Sequence, residues 1–182
     1  MTKTKLRTSD LALCALFSAL IAAGAFIRVP VPVVPFTLQT LFTALAGMLL
    51  GRRLGALAVG VYIALGLLGL PVFTAGGGLG YVFQPTFGYI LGFAGGAYIA
   101  GRMTESGGSL GRYYAAGLAH LAVVYAVGLA YYYCIANYYM HSPMGVGALL
   151  LHGFLITLPG DLALCLVSAL LAKRLRPMLR RQ

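Results

Sequence analysis

Apolar residues occupy six long runs of the chain, and short basic clusters separate several of these runs. A transmembrane helix needs about 20 mostly apolar residues. The pattern therefore predicts an all-α integral membrane protein, with a single membrane domain over residues 1–182 and six transmembrane helices in a compact bundle. The predicted helices cover residues 10–27, 38–51, 54–70, 85–102, 112–135 and 146–174, the last of them broken or kinked at 159–160.

The second run is short, so it could be a re-entrant segment, and the charges decide between the two topologies. If all six runs cross the membrane, 12 of the 13 Lys and Arg residues lie on one side, and only Arg28 lies on the other. If the second run does not cross, the split is 10 to 3. Because basic residues concentrate on the cytoplasmic side, six spans with both termini in the cytoplasm are predicted.

Composition argues against several other classes of protein. Hydrophobic residues make up 60% of the chain and charged residues 9%, whereas a soluble domain carries about a quarter charged residues. The net charge of +10 does not indicate nucleic-acid binding, because the basic residues flank apolar runs. Lys3, Lys5 and Arg7 precede the first run as in a signal peptide, but no clear cleavage site follows it. The run is therefore expected to be a retained first span.

Small residues recur along one face of the first predicted helix, at Ala15, Ala19 and Ala23. Such a ridge lets another helix approach closely within a membrane. From spacing alone, packing within this bundle is the favoured interpretation. Docking to another membrane protein is the alternative.

Two loops on the outer side have unusual composition. Ile27–Thr40 contains three prolines, which disfavour regular helix. Gly69–Tyr89 is rich in glycine, which permits tight backbone packing. Neither loop is strongly polar, so we expect them to cover a cavity; the alternative is that they are plain connectors.

Asp161 is the only charged residue between Val146 and Ala172. A carboxylate inside an apolar run is a candidate functional residue, because it is costly unless it is paired. The alternative is that it lies near a helix N-terminus and is stabilised by the helix dipole. Pro159 and Gly160 precede it, and proline is tolerated in a first helical turn.

Other polar residues stand at predicted helix starts. Gln84 and Thr86 flank the proline that opens the fourth helix, and an amide there can both donate and accept hydrogen bonds. Gln39 and Thr40 open the second helix, where they could cap it or face the same cavity.

Catalysis is poorly supported, and no cofactor or metal site is predicted. The three acidic residues form no pair for acid–base work, and the three histidines lack metal-binding spacing. The three cysteines lie in apolar runs without CxxC spacing. The chain has no GxxxxGK[ST] motif, so it is not a P-loop ATPase by itself.

Several motifs together resemble the biotin-specific BioY family, the substrate-binding (S) components of energy-coupling factor (ECF) transporters. The resemblance runs from about Pro35 to Phe93 and resumes at Pro159–Asp161. It rests on VPFTLQTLFTALAGMLLG, YIALGLLGLPVF, GGGLGYVFQPTFGYILGF and LPGD.

The resemblance implies a non-catalytic, multi-pass subunit in a prokaryotic-type cell membrane that captures biotin from outside with high affinity. It implies a transmembrane coupling subunit and two ATPase subunits as partners, although some family members work without them. It also implies that Ala15, Ala19 and Ala23 dock the coupling subunit.

The resemblance, together with the chemistry of biotin, suggests a set of ligand-binding residues. Asp161 would accept hydrogen bonds from the ureido ring, which Gln84 and Thr86 could also contact. Aromatic side chains would enclose the apolar ring, and Arg28 would meet the carboxylate or anchor the chain at the interface. The full predicted set is Arg28, Phe36, Gln39, Phe73, Gly77, Gln84, Thr86, Tyr89 and Asp161.

One position departs from the family pattern. The family has a lysine three residues after the aspartate, whereas this chain has Leu164. Two rival functions follow from the same residues. One is an S component for another vitamin, such as riboflavin or thiamine, and the other is an intramembrane enzyme centred on Asp161.

Overall fold

A computed structural model describes residues 7–29, 34–140 and 145–179 of the protein. These residues form a helical bundle with one small hairpin, made of β1 (Arg28–Val29) and β2 (Phe36–Thr37). The helices are α1 (Thr8–Phe26), α2 (Gln39–Leu50), α3 (Arg52–Leu67), α4 (Phe87–Thr104), α5 (Leu110–Cys134), α6 (Val146–Leu150) and α7 (Leu158–Leu179). The all-α prediction is confirmed.

Helix boundaries differ from the predicted ones where local backbone chemistry outweighs hydropathy. A single residue, Gly51, separates α2 from α3, because its φ of +84° ends one helix and starts the next. The third helix therefore begins with Arg52, two residues before its predicted start. A 3₁₀ turn over Leu79–Phe83 delays the start of α4 to Phe87.

The last segment is interrupted, but the interruption precedes Pro159. A π-helical turn over Leu151–Leu155 follows α6, and α7 then begins at Leu158. Proline fits the first turn of a helix because an N–H there has no intrahelical acceptor. Pro159 therefore lies inside the start of α7, and the regular α-helix is interrupted just before it.

Three helical segments of the described chain are long and apolar enough to cross a membrane. They are Thr8–Phe26, Leu110–Tyr139 and Val146–Met178. The shorter α2 is almost entirely surrounded by protein, with Ala44, Ala46 and Met48 buried. A helix enclosed by its neighbours does not have to match the thickness of the lipid, so 12 residues suffice here.

Small residues bring α4 close to its neighbours at the centre of the bundle. A β-carbon added to Gly47 on α2 would lie 2.2 Å from the carbonyl oxygen of Ala97 on α4. One added to Gly92 on α4 would lie 2.8 Å from Cα of Val124 on α5. Close backbone approach of this kind is how helices pack in membranes.

Contacts at the two ends of the bundle agree with six crossings. At one end, Arg52 Nε lies 2.9 Å from Glu105 Oε1, which joins the α2–α3 turn to the end of α4. At the other end, Arg28 Nη1 donates to the Thr74 carbonyl oxygen at 2.6 Å. The second run therefore passes from one end to the other. The end with Arg52 carries most of the basic residues and is cytoplasmic.

Candidate functional site

A cavity opens in the outer half of the bundle, where α2, α4 and α7 all begin. It encloses about 520 Å³ of space, its open mouth included. Ligand sites are typically concave and mostly apolar. The lining residues are Val34, Pro35, Phe36, Thr37, Gln39, Thr40, Thr74, Thr86, Tyr89, Ile90, Phe93, Val124, Tyr125, Thr157 and Asp161.

Asp161 supplies the charge of this cavity and is only 7% exposed. The hydroxyl of Tyr125 on α5 donates to Asp161 Oδ2 at 2.5 Å. The side chain of Thr40 on α2 also lies beside the carboxylate. Thr157 Oγ1 lies 2.8 Å from the Tyr125 oxygen and extends the network. Hydroxyl groups from neighbouring helices therefore surround the buried carboxylate.

The sequence around Asp161 brings its backbone close to the hairpin. The amide of Asp161 donates to the Thr157 carbonyl oxygen at 3.0 Å, within the first turn of α7. A β-carbon added to Gly160 would lie 2.6 Å from the ring of Phe36. Glycine at this position therefore lets Phe36 lie against the start of α7, where it forms part of the cavity wall.

Gln39 faces the cavity and also crosslinks the structure around it. Its Nε2 donates to the Tyr62 hydroxyl at 2.7 Å, and its Oε1 accepts from Thr37 Oγ1 at 3.3 Å. The Tyr62 hydroxyl donates onward to the Val72 carbonyl oxygen at 3.3 Å. The backbone amide of Gln39 donates to Thr37 Oγ1 at 3.3 Å, and the side chains of Gln39 and Thr40 do not cap α2. Of the two predicted roles, the geometry favours the cavity wall.

Thr86 belongs to a second row of hydroxyl groups along the cavity. Thr74 Oγ1 lies 2.9 Å from the Tyr81 hydroxyl, which lies 3.3 Å from Thr86 Oγ1. Tyr89, one turn along α4, lines the cavity and donates its hydroxyl to the Gly153 carbonyl oxygen at 2.9 Å. The cavity wall at this side thus contains both aromatic rings and hydroxyl groups.

The chain is similar over nearly its whole length to known membrane transport proteins. The model of the BioY family matches residues 1–181. This chain belongs to the BioY family. The protein named "Probable biotin transporter BioY" of Lysinibacillus sphaericus is 45% identical, over 95% of this chain and 89% of its own length. The "Biotin transporter BioY" of Thermotoga maritima is 39% identical, over 90% of this chain and 93% of its own.

A solved structure supports the same relationship. It is the S-component for biotin from an ECF-type ABC transporter, with a TM-score of 0.81 and 26% identity. The match covers 97% of this chain and 95% of the other. The BioY fold, a multi-pass bundle in the cell membrane, therefore extends over this chain.

Within this BioY chain, five of the nine predicted ligand residues line the cavity and four do not. The five are Phe36, Gln39, Thr86, Tyr89 and Asp161. Gln84 is exposed beyond the 3₁₀ turn. Phe73 is buried behind the wall, with its ring centroid 5.4 Å from that of Tyr62. A β-carbon on Gly77 would lie 2.1 Å from the Leu70 carbonyl oxygen, so this glycine packs against the end of α3.

The fourth, Arg28, joins the two outer loops at their base. Its guanidinium donates to the carbonyl oxygen of Thr74, and Thr74 lines the cavity. Pro35 lines the cavity as well, whereas Pro30 and Pro32 lie outside the described residues. The two loops that are predicted to cover the cavity, Ile27–Thr40 and Gly69–Tyr89, are therefore joined by at least this one hydrogen bond.

Leu164, at the position where the sequence resemblance predicts a lysine, does not line the cavity. It packs against a hydrophobic cluster in the cytoplasmic half that includes Leu41 and Leu45. In this chain the carboxylate is therefore surrounded by hydroxyl groups at the place where the family pattern predicts a cation. Among the described residues, no group of three or more His, Cys, Asp or Glu side chains could hold a metal ion.

Tyr125 and Thr157 are cavity residues that sequence reasoning missed. Tyr125 interrupts the apolar stretch AVVYAVG in the middle of the fifth run. A single phenol in such a stretch needs a hydrogen-bond partner, and this signal could have identified it. Nothing local indicates that its partner is Asp161, 36 residues later.

The alanine ridge of α1 lies on the face that points away from the bundle. Ala15, Ala19 and Ala23 are exposed. The opposite face is buried, and Ser18 donates there to the Ala58 carbonyl oxygen on α3 at 2.7 Å. Packing within the bundle, which spacing alone favoured, therefore does not account for the ridge.

Proposed function

We propose that this protein binds biotin in the Asp161 cavity, as the S component of a vitamin uptake transporter. The buried carboxylate in a mostly apolar cavity is the observation that carries the proposal. A BioY family member with this cavity needs no catalytic group, because its task is to capture the vitamin outside and deliver it inward.

The chemistry of biotin fits the distribution of polar groups in the cavity. Its ureido ring carries two N–H donors and one carbonyl acceptor. Asp161 retains acceptor capacity beyond the bond from Tyr125, because a carboxylate has about four lone-pair sites. The hydroxyl of Thr86, which also lines the cavity, would meet the ureido carbonyl. The charged hydrogen bonds to Asp161 would supply most of the polar recognition.

The apolar half of biotin matches the aromatic side chains of the same cavity. Phe36 approaches from the hairpin and Tyr89 from α4, with Phe93 one turn deeper. The fused thioether ring is compact and apolar, so burial between aromatic side chains supports its binding. The carboxylate tail would extend to the mouth, where Arg28 lies exposed and can stay near the Thr74 carbonyl.

Direct binding tests the proposal. The purified full-length protein in detergent should bind biotin in a calorimetric titration, and excess riboflavin or thiamine should leave the isotherm unchanged. Competition by either vitamin would instead assign the cavity to a sibling ligand. Absence of biotin binding by folded protein would refute the proposal.

Partner subunits complete the proposed transport cycle. The chain has no P-loop motif, which agrees with a transporter in which two other subunits hydrolyse ATP and a transmembrane subunit couples them to this chain. The exposed ridge of α1 is the proposed contact with that coupling subunit, because small side chains let helices approach closely in lipid.

Replacement of Ala19 by phenylalanine should disrupt this contact. The added ring would project from the exposed face of α1, so the bundle should fold and bind biotin normally. Co-purification with the coupling subunit and biotin uptake by cells should both fall at least about tenfold, because close helix packing is lost. Ala115→Phe is the matched control, since Ala115 is also exposed but lies on α5. Intact assembly and uptake with Ala19→Phe would show that the ridge does not dock the partner.

A further inference from the structure

A second large cavity lies at the cytoplasmic end of the bundle, far from the Asp161 cavity. It encloses about 820 Å³, open space included. It forms where Gly51 turns the chain from α2 into α3, next to the end of α4. Its lining residues are Leu49, Leu50, Gly51, Arg52, Arg53, Leu54, Glu105 and Arg176.

The charges in this cavity do not balance. Three arginines and one glutamate give a net charge of +2. Arg52 pairs with Glu105 at 2.9 Å. Arg53 is exposed at the edge of the cavity. The first turn of α3 contains no acidic residue and no side-chain cap, so the helix dipole adds partial positive charge at the same place.

Arg176 is the most buried of the three arginines, at 9% exposure. It donates to the carbonyl oxygens of Thr104 and Glu105 and to the hydroxyl of Tyr113. These acceptors are all neutral, so they fix the guanidinium in position without cancelling its charge. A buried arginine held in this way adds a fixed positive charge to the cavity wall.

The apolar part of the lining indicates the kind of anion. Leu49, Leu50 and Leu54 are half-buried beside the arginines. The cavity lies at the end of the bundle that the basic residues assign to the cytoplasmic side, where lipid headgroups would lie. Basic pockets between transmembrane helices on this side of a membrane suit anionic lipid headgroups.

We propose that this cavity binds an anionic phospholipid of the cytoplasmic leaflet, with its phosphate at the arginines and its acyl chains against the leucines. A free phosphate ion would use the arginines but not the leucines. An isolated acidic side chain would likewise leave the apolar wall uncovered. A phospholipid uses both halves of the lining.

Lipid titration of charge variants tests this proposal. The delipidated full-length protein in neutral detergent is titrated with phosphatidylglycerol, and bound lipid is read by native mass spectrometry. Arg53→Gln should weaken binding about fivefold, the loss expected for one basic residue at a lipid headgroup. Glu105→Gln should strengthen binding by a similar factor, because it raises the net charge of the lining.

Controls separate a specific site from a generally basic surface. Arg102 is exposed near the same end of the bundle but does not line the cavity, so Arg102→Gln should change phosphatidylglycerol affinity less than twofold. Phosphatidylcholine should bind at least tenfold more weakly, and millimolar inorganic phosphate should not displace the lipid. Equal effects of Arg102→Gln and Arg53→Gln, or displacement by phosphate, would overturn the proposal. Biotin binding by all three variants should remain unchanged.

Discussion

Asp161→Asn is expected to weaken biotin binding by about 10- to 100-fold. A hydrogen bond to a charged group contributes about 1.5–3 kcal/mol, and the ureido N–H groups have this carboxylate as their proposed acceptor. Asparagine keeps an oxygen for the Tyr125 hydroxyl, so the apo protein should still fold. Its NH₂ group, however, would face the donors of the ligand.

Calorimetric titration in detergent measures this effect, with Asp10→Asn as the matched control. Asp10 lies in the first turn of α1, far from the cavity, and accepts a hydrogen bond from the Arg7 amide. The control should bind biotin within about twofold of wild type. If Asp161→Asn also binds within twofold, Asp161 serves the start of α7 and does not hold the ligand.

Gly47→Ala is expected to destabilise the bundle by about 1–3 kcal/mol, the usual range for an overpacked core. The new methyl group would lie 2.2 Å from the Ala97 carbonyl oxygen, which belongs to the backbone and cannot rotate away. The helices α2 and α4 must therefore separate. Because both helices line the Asp161 cavity, biotin affinity should fall as well.

Unfolding in mixed micelles of mild detergent and SDS measures the change in stability. Gly60→Ala is the matched control, because a β-carbon there would meet no atom within 4 Å. That variant should be more stable than wild type by up to about 1 kcal/mol, since alanine favours helix over glycine. Equal stability of the two variants would mean that α2 and α4 are not in close contact at Gly47.

Sequence reasoning identified the groups whose position in the chain is itself unusual. A carboxylate in an apolar run has few structural roles, so Asp161 could be singled out without coordinates. The basic clusters predicted the six-span topology for a similar reason, because basic residues concentrate on the cytoplasmic side of a membrane. Both signals are local, and neither depends on how the helices pack.

The partners of these groups depend on packing and could not be obtained in the same way. Tyr125 reaches Asp161 only because α5 and α7 pack with a particular rotation. Gln39 and Gln84 both stand near helix starts in the sequence, yet only Gln39 faces the cavity. Gln84 directly follows the 3₁₀ turn at Leu79–Phe83 and is exposed, so it does not reach the cavity that Gln39 lines.

The hydrogen bond between Arg28 and Thr74 has a consequence for how the transporter uses energy. An exposed hydrogen bond contributes only about 1 kcal/mol, so this link between the two loops would be broken in roughly one molecule in six. Biotin could then enter by thermal opening of the loops. ATP hydrolysis would be needed only for the later step, when a tightly held vitamin must be released into the cytoplasm.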